Sequence, residues 1–119
     1  MYLLPEILEL DELVGQQINM VCVGPYDAQI IFERGVIIQS FLKLEGVVNG
    51  VRSLWFNGEW VDTSEIQIIP KQEVIAVSRA SDTELRIELN NNIALCFHTD
   101  ESQYESINIR MPDGSVDVI

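Results

Sequence analysis

Short runs of alternating apolar and polar residues, broken every few positions by turn-forming pairs, restrict this chain to antiparallel β structure. Ile18, Met20 and Cys22 alternate with Asn19 and Val21, and Gly24-Pro25-Tyr26-Asp27 ends that run as a turn. Residues 29–33 and 36–44 follow as strands, joined tightly at Arg34-Gly35. Asn49-Gly50 and Asn57-Gly58 then bracket a strand over Val51–Phe56. Asn-Gly between alternating residues is the strongest short hairpin signal, because a type I′ turn needs positive φ at both central positions. Read as such a turn, Asn57-Gly58 sets Phe56 opposite Glu59, Trp55 opposite Trp60 and Leu54 opposite Val61, with a stabilising cross-strand Trp pair. Further strands are predicted over 73–79, 83–89, 92–97, 106–111 and 116–119, separated by Ala80-Ser81-Asp82, Asn90-Asn91 and Pro112-Asp113-Gly114. About ten strands on short turns make a mainly β fold, an antiparallel meander forming a sandwich or a partly open barrel.

Two stretches depart from the alternation. Leu3, Leu4, Ile7, Leu8 and Leu13 share one helical face, with Pro5 at a first helical position and Gly15 as a stop, which predicts a short N-terminal helix over 5–14. Residues 62–70 admit a single helical turn capped by Thr63 or Ser64. The chain also resembles itself. Residues 17–41 and 72–98 both read strand, turn with an Asp, strand, tight turn, strand, with Gly35 and Asn92 at matching positions able to take positive φ. Small gaps in that match leave two three-stranded repeats as an expectation.

At 119 residues and 47% apolar content the chain reads as one domain, 1–119, able to bury a core. Its longest apolar run is the five residues 93–97, too short for a membrane-spanning helix. The first ten residues carry Glu6 and Glu9 and no base, unlike a secretory signal, so a cytoplasmic location is expected. In a reducing compartment Cys22 and Cys96 read as two buried thiols; whether they lie close is open.

Nineteen acids against seven bases give a net charge of −12, and the distribution is uneven. Residues 1–33 hold six acids and no base, 34–86 hold seven acids and six bases, and 87–119 hold six acids and one base. If the two ends lie side by side they form one acidic face, which repels phosphate backbones and anionic membranes and attracts a basic protein. No nucleic-acid or membrane partner is expected. Acidity that only keeps the chain soluble is the competing explanation.

Nothing in the chain has the pattern of an active site. His98 is the single histidine, and no serine sits in a Gly-x-Ser-x-Gly turn. The glycines are scattered at turns, so no loop is built to cradle phosphate. The densest polar stretch runs from His98 to Glu105. His98, Asp100 and Glu105 could ligate a metal, but their spacing matches no standard site and a solvated acidic loop is the preferred reading. No enzyme activity, cofactor or metal is therefore expected.

Gly15, Ile18, Val23-Gly24, Tyr26, Gln29, Phe32 and Gly35 at the start, and Tyr104 to Arg110 with Pro112-Asp113-Gly114 at the end, resemble a group of small acidic bacterial β-rich domains of unknown function. Some relatives of that kind resemble immunity proteins encoded beside polymorphic or contact-dependent toxins. The resemblance implies a non-enzymatic module that neutralises a cognate toxin, a nuclease being one case, by covering its basic active site. The resemblance carries over no residue-level site; the charge distribution and the aromatic residues select Asp100, Glu101, Tyr104 and Glu105 for partner binding, with Trp55 or Trp60 as aromatic anchor. The alternatives are a small-ligand-binding β domain and a structural oligomer using an edge strand.

Overall fold

In a computed structural model the described residues are 3–6, 8–61, 64–100 and 106–119. Ten strands are formed: β1 (Ile18–Val23), β2 (Ala28–Phe32), β3 (Ile37–Ser40), β4 (Lys43–Val48), β5 (Val51–Phe56), β6 (Val74–Ser81), β7 (Glu84–Leu89), β8 (Ile93–His98), β9 (Ile107–Arg110) and β10 (Val116–Val118). They make two five-stranded antiparallel sheets packed as a sandwich, in the orders β1-β2-β3-β9-β10 and β5-β4-β8-β7-β6. Neither sheet closes into a barrel.

The two self-similar segments occupy different sheets. β1-β2-β3 is the meander of the first sheet and β6-β7-β8 that of the second. Each meander is completed by a hairpin from elsewhere in the chain: β9-β10 joins β3, and β4-β5 joins β8. Gly35 (φ 98°) and Asn92 (φ 59°) both take the positive φ expected of them. The sheets are stitched where β1 and β6 begin. Gln17 bridges Glu73, the Gly15 N–H donates to the Val74 carbonyl at 2.8 Å, and the Val74 N–H donates back to the Gln16 carbonyl at 2.8 Å.

The strand expected over 36–44 is two strands in two sheets. The chain crosses between them at Phe41 and Leu42, where the alternation is interrupted. The hairpins also differ from each other. Asn49 (φ 51°) and Gly50 (φ 82°) both have positive φ and set Val48 opposite Val51, as a two-residue loop requires. At the second hairpin only Gly58 (φ 80°) does so; the Asn57 N–H donates to the Glu59 carbonyl, and Phe56 bridges Trp60. The loop is thus one residue longer than expected, and the expected Trp55–Trp60 pair is replaced by Phe56 against Trp60, ring centroids 5.3 Å apart.

The expected N-terminal helix is absent among the described residues, where a single 3-10 turn, Asp11–Leu13, takes its place. The backbone at its start is committed elsewhere. The Leu4 N–H donates to the Asp82 carbonyl at 2.8 Å, and the Arg79 guanidinium donates to the Leu4 carbonyl. A segment of about ten residues gains too little from its own hydrogen bonds to outweigh such contacts. Leu4, Leu10 and Leu13 are buried all the same, covering the core from an open side. A second 3-10 turn, Glu65–Ile68, follows Ser64 as foreseen for that region, although the Ser64 side chain makes no capping hydrogen bond; Thr63 lies outside the described residues.

The core is apolar and aromatic, with Phe32, Trp55, Phe56 and Phe97 among its largest side chains. Trp55 makes a specific demand. A Cβ built on Gly46 would stand 1.9 Å from Trp55 Cζ2, so the indole occupies space that only glycine leaves open. We predict that Gly46→Ala destabilises the fold by about 1–3 kcal/mol through overpacking. In urea unfolding the same substitution should cost clearly less in a Trp55→Phe background, where the six-membered edge of the indole is gone. Equal costs in both backgrounds would show that the indole is not the obstruction.

Candidate functional site: an acidic groove between the chain ends

The N-terminal segment and the last strand run beside each other. Leu3, Leu8 and Leu10 on one side and Ile109, Val118 and Ile119 on the other line a groove of about 350 Å³, with Glu9 and Asp117 also in its wall. The C-terminal side is held by backbone pairing: the Ile119 N–H donates to the Ile107 carbonyl at 2.8 Å, and the Ser106 and Ile107 N–H groups donate to the Ile119 carbonyl. The N-terminal side is held by the Leu4 bonds to Asp82 and Arg79. Glu6, Glu9, Asp11, Glu12, Asp113 and Asp117 are all exposed on these two segments. The Asp113 carboxylate accepts from the Ser115 hydroxyl and the Ser115 N–H, which hold its pKa below the ordinary value. Of the bases in this part of the chain, only Arg110 belongs to the C-terminal segment and none to the N-terminal one.

Three of the six other bases, Lys43, Arg52 and Arg86, are engaged on the outer face of the second sheet. Register brings Glu45 of β4, Glu84 of β7 and His98 of β8 together, because Lys43 and Glu84 both face His98 across the ladder. His98 Nε2 lies 2.6 Å from Glu45 Oε1 and 3.5 Å from Glu84 Oε1. Arg52 Nη1 donates to the same two oxygens at 3.0 and 3.1 Å, and Lys43 Nζ stands 3.8 Å from Glu45. Burial alone would raise the Glu45 pKa. The Arg52 hydrogen bond, the Lys43 charge and His98 outweigh it and hold the carboxyl below its ordinary value. Arg52 is raised in turn by its bonds to Glu45 and Glu84. Arg86 pairs with Glu88 at 3.3 Å on the same face.

The residues singled out in the sequence are thereby distributed. Trp55 is fully buried and its Nε1 donates to Glu65 Oε1 at 2.9 Å, so its ring has no surface to offer as a partner anchor. Trp60 is half-buried, and its Nε1 donates to the Gly24 carbonyl in the turn between β1 and β2. Asp100 is half-buried at the end of β8, and Glu101, Tyr104 and Glu105 lie outside the described residues. His98 meets Glu45 and Glu84, which the sequence reading did not connect with it, because β4 and β8 are far apart in the chain. Cys22 and Cys96 are free thiols on different sheets, Cys22 beside Gln29 and Cys96 between Glu45 and Arg86. Burial, with the nearby Glu84 charge, pushes the Cys96 thiol pKa up.

No family model, curated protein or solved structure matches the chain, so the resemblance to acidic bacterial domains rests on the quoted residues alone.

The Glu45 cluster carries a pH prediction. A carboxyl whose pKa is lower in the folded than in the unfolded chain stabilises the fold above the unfolded value, and that contribution is lost as pH falls through the folded value. Arg52 is well exposed, so solvent screening limits its effect, and Arg52→Ala should cost only about 0.5–1 kcal/mol at pH 7. The difference from the parent protein should shrink steadily below the ordinary glutamate pKa of 4.5. Urea titrations at several pH values check this; a difference independent of pH would assign the effect to packing of the arginine stem.

Proposed function

We propose that this protein is a non-enzymatic protein-binding module whose groove between the chain ends receives a basic, partly apolar segment of another protein. One observation carries the reading: the N-terminal segment and the last strand meet along a single groove whose walls are apolar and whose charged lining residues, Glu9 and Asp117, are both acidic. Apolar walls rimmed by one sign of charge favour a partner that pairs aliphatic or aromatic side chains with Lys or Arg. Direct contact with nucleic acid or anionic lipid is disfavoured by the same charge. An immunity role, in which the acidic surface covers the basic active site of a toxin in the same cytoplasm, is the specific form of this reading, supported by the resemblance noted above. Glu9 and Asp117 supply the groove's charge; Asp100, Glu101, Tyr104 and Glu105 stay candidate contacts from the sequence, with Trp60 as the remaining aromatic anchor.

The test is capture from the source cell's lysate by the protein and by its Glu9→Lys/Asp117→Lys variant, eluted in a salt gradient. One basic protein that the parent retains and the variant releases at least tenfold more readily is expected, with its own activity blocked in the complex. A partner that holds both forms equally would move the site away from the groove; reversal of Asp100, Glu101 and Glu105 then tests the acidic stretch singled out in the sequence. Capture of nothing specific would sink the protein-binding reading. A groove of this volume is at the small end of ligand pockets, and a metabolite screen by Trp fluorescence would then decide for the small-ligand alternative.

A further inference from the structure

The geometry points to a divalent transition-metal site, with Zn²⁺ the best-fitting ion, formed by Glu45, Glu84 and His98 on the outer face of the second sheet. It is independent of the groove and of the partner it would take.

Three features carry it. The donors stand on three adjacent strands whose register is set by continuous ladders, and one ligand atom from each lies within 4.8 Å of the others. A rigid ladder holds such atoms in place before an ion arrives, which lowers the ordering cost of binding. Second, the spacing suits the ion. Donors about 2.0–2.1 Å from a common tetrahedral zinc stand about 3.3 Å apart. His98 Nε2 and Glu84 Oε1 are already 3.5 Å apart. His98 Nε2 and Glu45 Oε1, at 2.6 Å, share a hydrogen bond that opens by less than about 1 Å when a metal replaces the bridging proton.

Third, the site already attracts a cation. Arg52 Nη1 sits between the two carboxylates, 3.0 and 3.1 Å from the oxygens that would bind the ion. Its side chain is 42% exposed, against 13%, 15% and 17% for Glu45, Glu84 and His98. The arginine is therefore the movable member of the cluster. It can turn into solvent, leaving two carboxylates and an imidazole nitrogen around the position that it vacates. Binding releases any proton on His98 Nε2 and displaces the guanidinium without breaking a covalent bond. One nitrogen and two carboxylate oxygens suit Zn²⁺, Co²⁺ or Mn²⁺ better than Ca²⁺ or Mg²⁺, which prefer all-oxygen shells. Three protein donors leave a fourth position for solvent.

The test titrates Zn²⁺ alone, and separately Co²⁺ alone, into the chelator-treated full-length chain, followed by calorimetry and by the visible absorption of bound cobalt. Saturable one-to-one binding well below millimolar metal is expected. His98→Gln and Glu84→Gln should each weaken it at least tenfold. Arg52→Ala, which removes the competing cation, should tighten it about tenfold. Far-UV circular dichroism establishes that each variant is folded. Binding of several ions per chain that ignores both glutamine substitutions would be diffuse attraction to surface acids and would overturn the site, as would Arg52→Ala that binds no tighter than the parent. No binding below millimolar metal would overturn it outright.

Discussion

The indole of Trp55 is held where Gly46 offers no side chain, and much of the molecule is built out from that contact. It fixes β5 on β4, whose other edge pairs with β8. The Trp55 Nε1 bond to Glu65 ties the same hairpin to the 3-10 turn that leads into β6. Its neighbour Phe56 packs on Trp60, and Trp60 in turn donates to the Gly24 carbonyl in the first sheet. Two consecutive aromatic residues thus join the second sheet to the segments on either side of it. Burying an indole is favourable only if its N–H finds an acceptor, and Glu65 supplies one.

The exchange of hairpins has a consequence for surface charge. Because β4-β5 completes the second sheet and β9-β10 the first, neither half of the chain finishes its own sheet. The last strand is carried back across the molecule to the edge of the first sheet, beside the N-terminal segment. Two acid-rich stretches separated by most of the sequence therefore become neighbours. Such long-range pairings must also be closed against chain entropy before they stabilise anything, which makes folding slower than local hairpins alone would be.

Alternation and turn chemistry are local, and what depends on them was legible: the mainly β character and most strands, the Asn49-Gly50 turn, and the positive φ at Gly35 and Asn92. What depends on long-range pairing was not. Residues 36–44 read as one strand by their apolar content, yet Gln39-Ser40 followed by Phe41-Leu42 breaks the alternation where the chain crosses; which sheet each half joins depends on distant partners. Asn57-Gly58 has the signature of a two-residue turn, yet Asn57 stays out of the positive-φ region and one extra residue shifts the register. The helix expected over 5–14 has the right apolar face, but Leu4, Leu10 and Leu13 are buried by an irregular segment bonded at Leu4 to Asp82 and Arg79. The meeting of His98 with Glu45 and Glu84 required knowing that β8 lies between β4 and β7.

Charge placement separates what stability requires from what it does not. Glu45 and Glu84 are largely shielded from water, and a shielded carboxylate needs a counter-charge; Arg52 and Lys43 provide it, and His98 adds a hydrogen bond. The carboxylates of Glu6, Glu9, Asp11, Glu12 and Asp117 are in a different position. They are exposed, outnumber the bases around them, and by mutual repulsion oppose the folded state slightly. Solubility would be served by acids placed anywhere on the surface. It does not account for acids gathered beside the apolar walls of Leu8, Ile109 and Val118, where an uncharged rim would fold at least as well. The basic segment proposed for the groove would relieve that repulsion and cover those walls in one step.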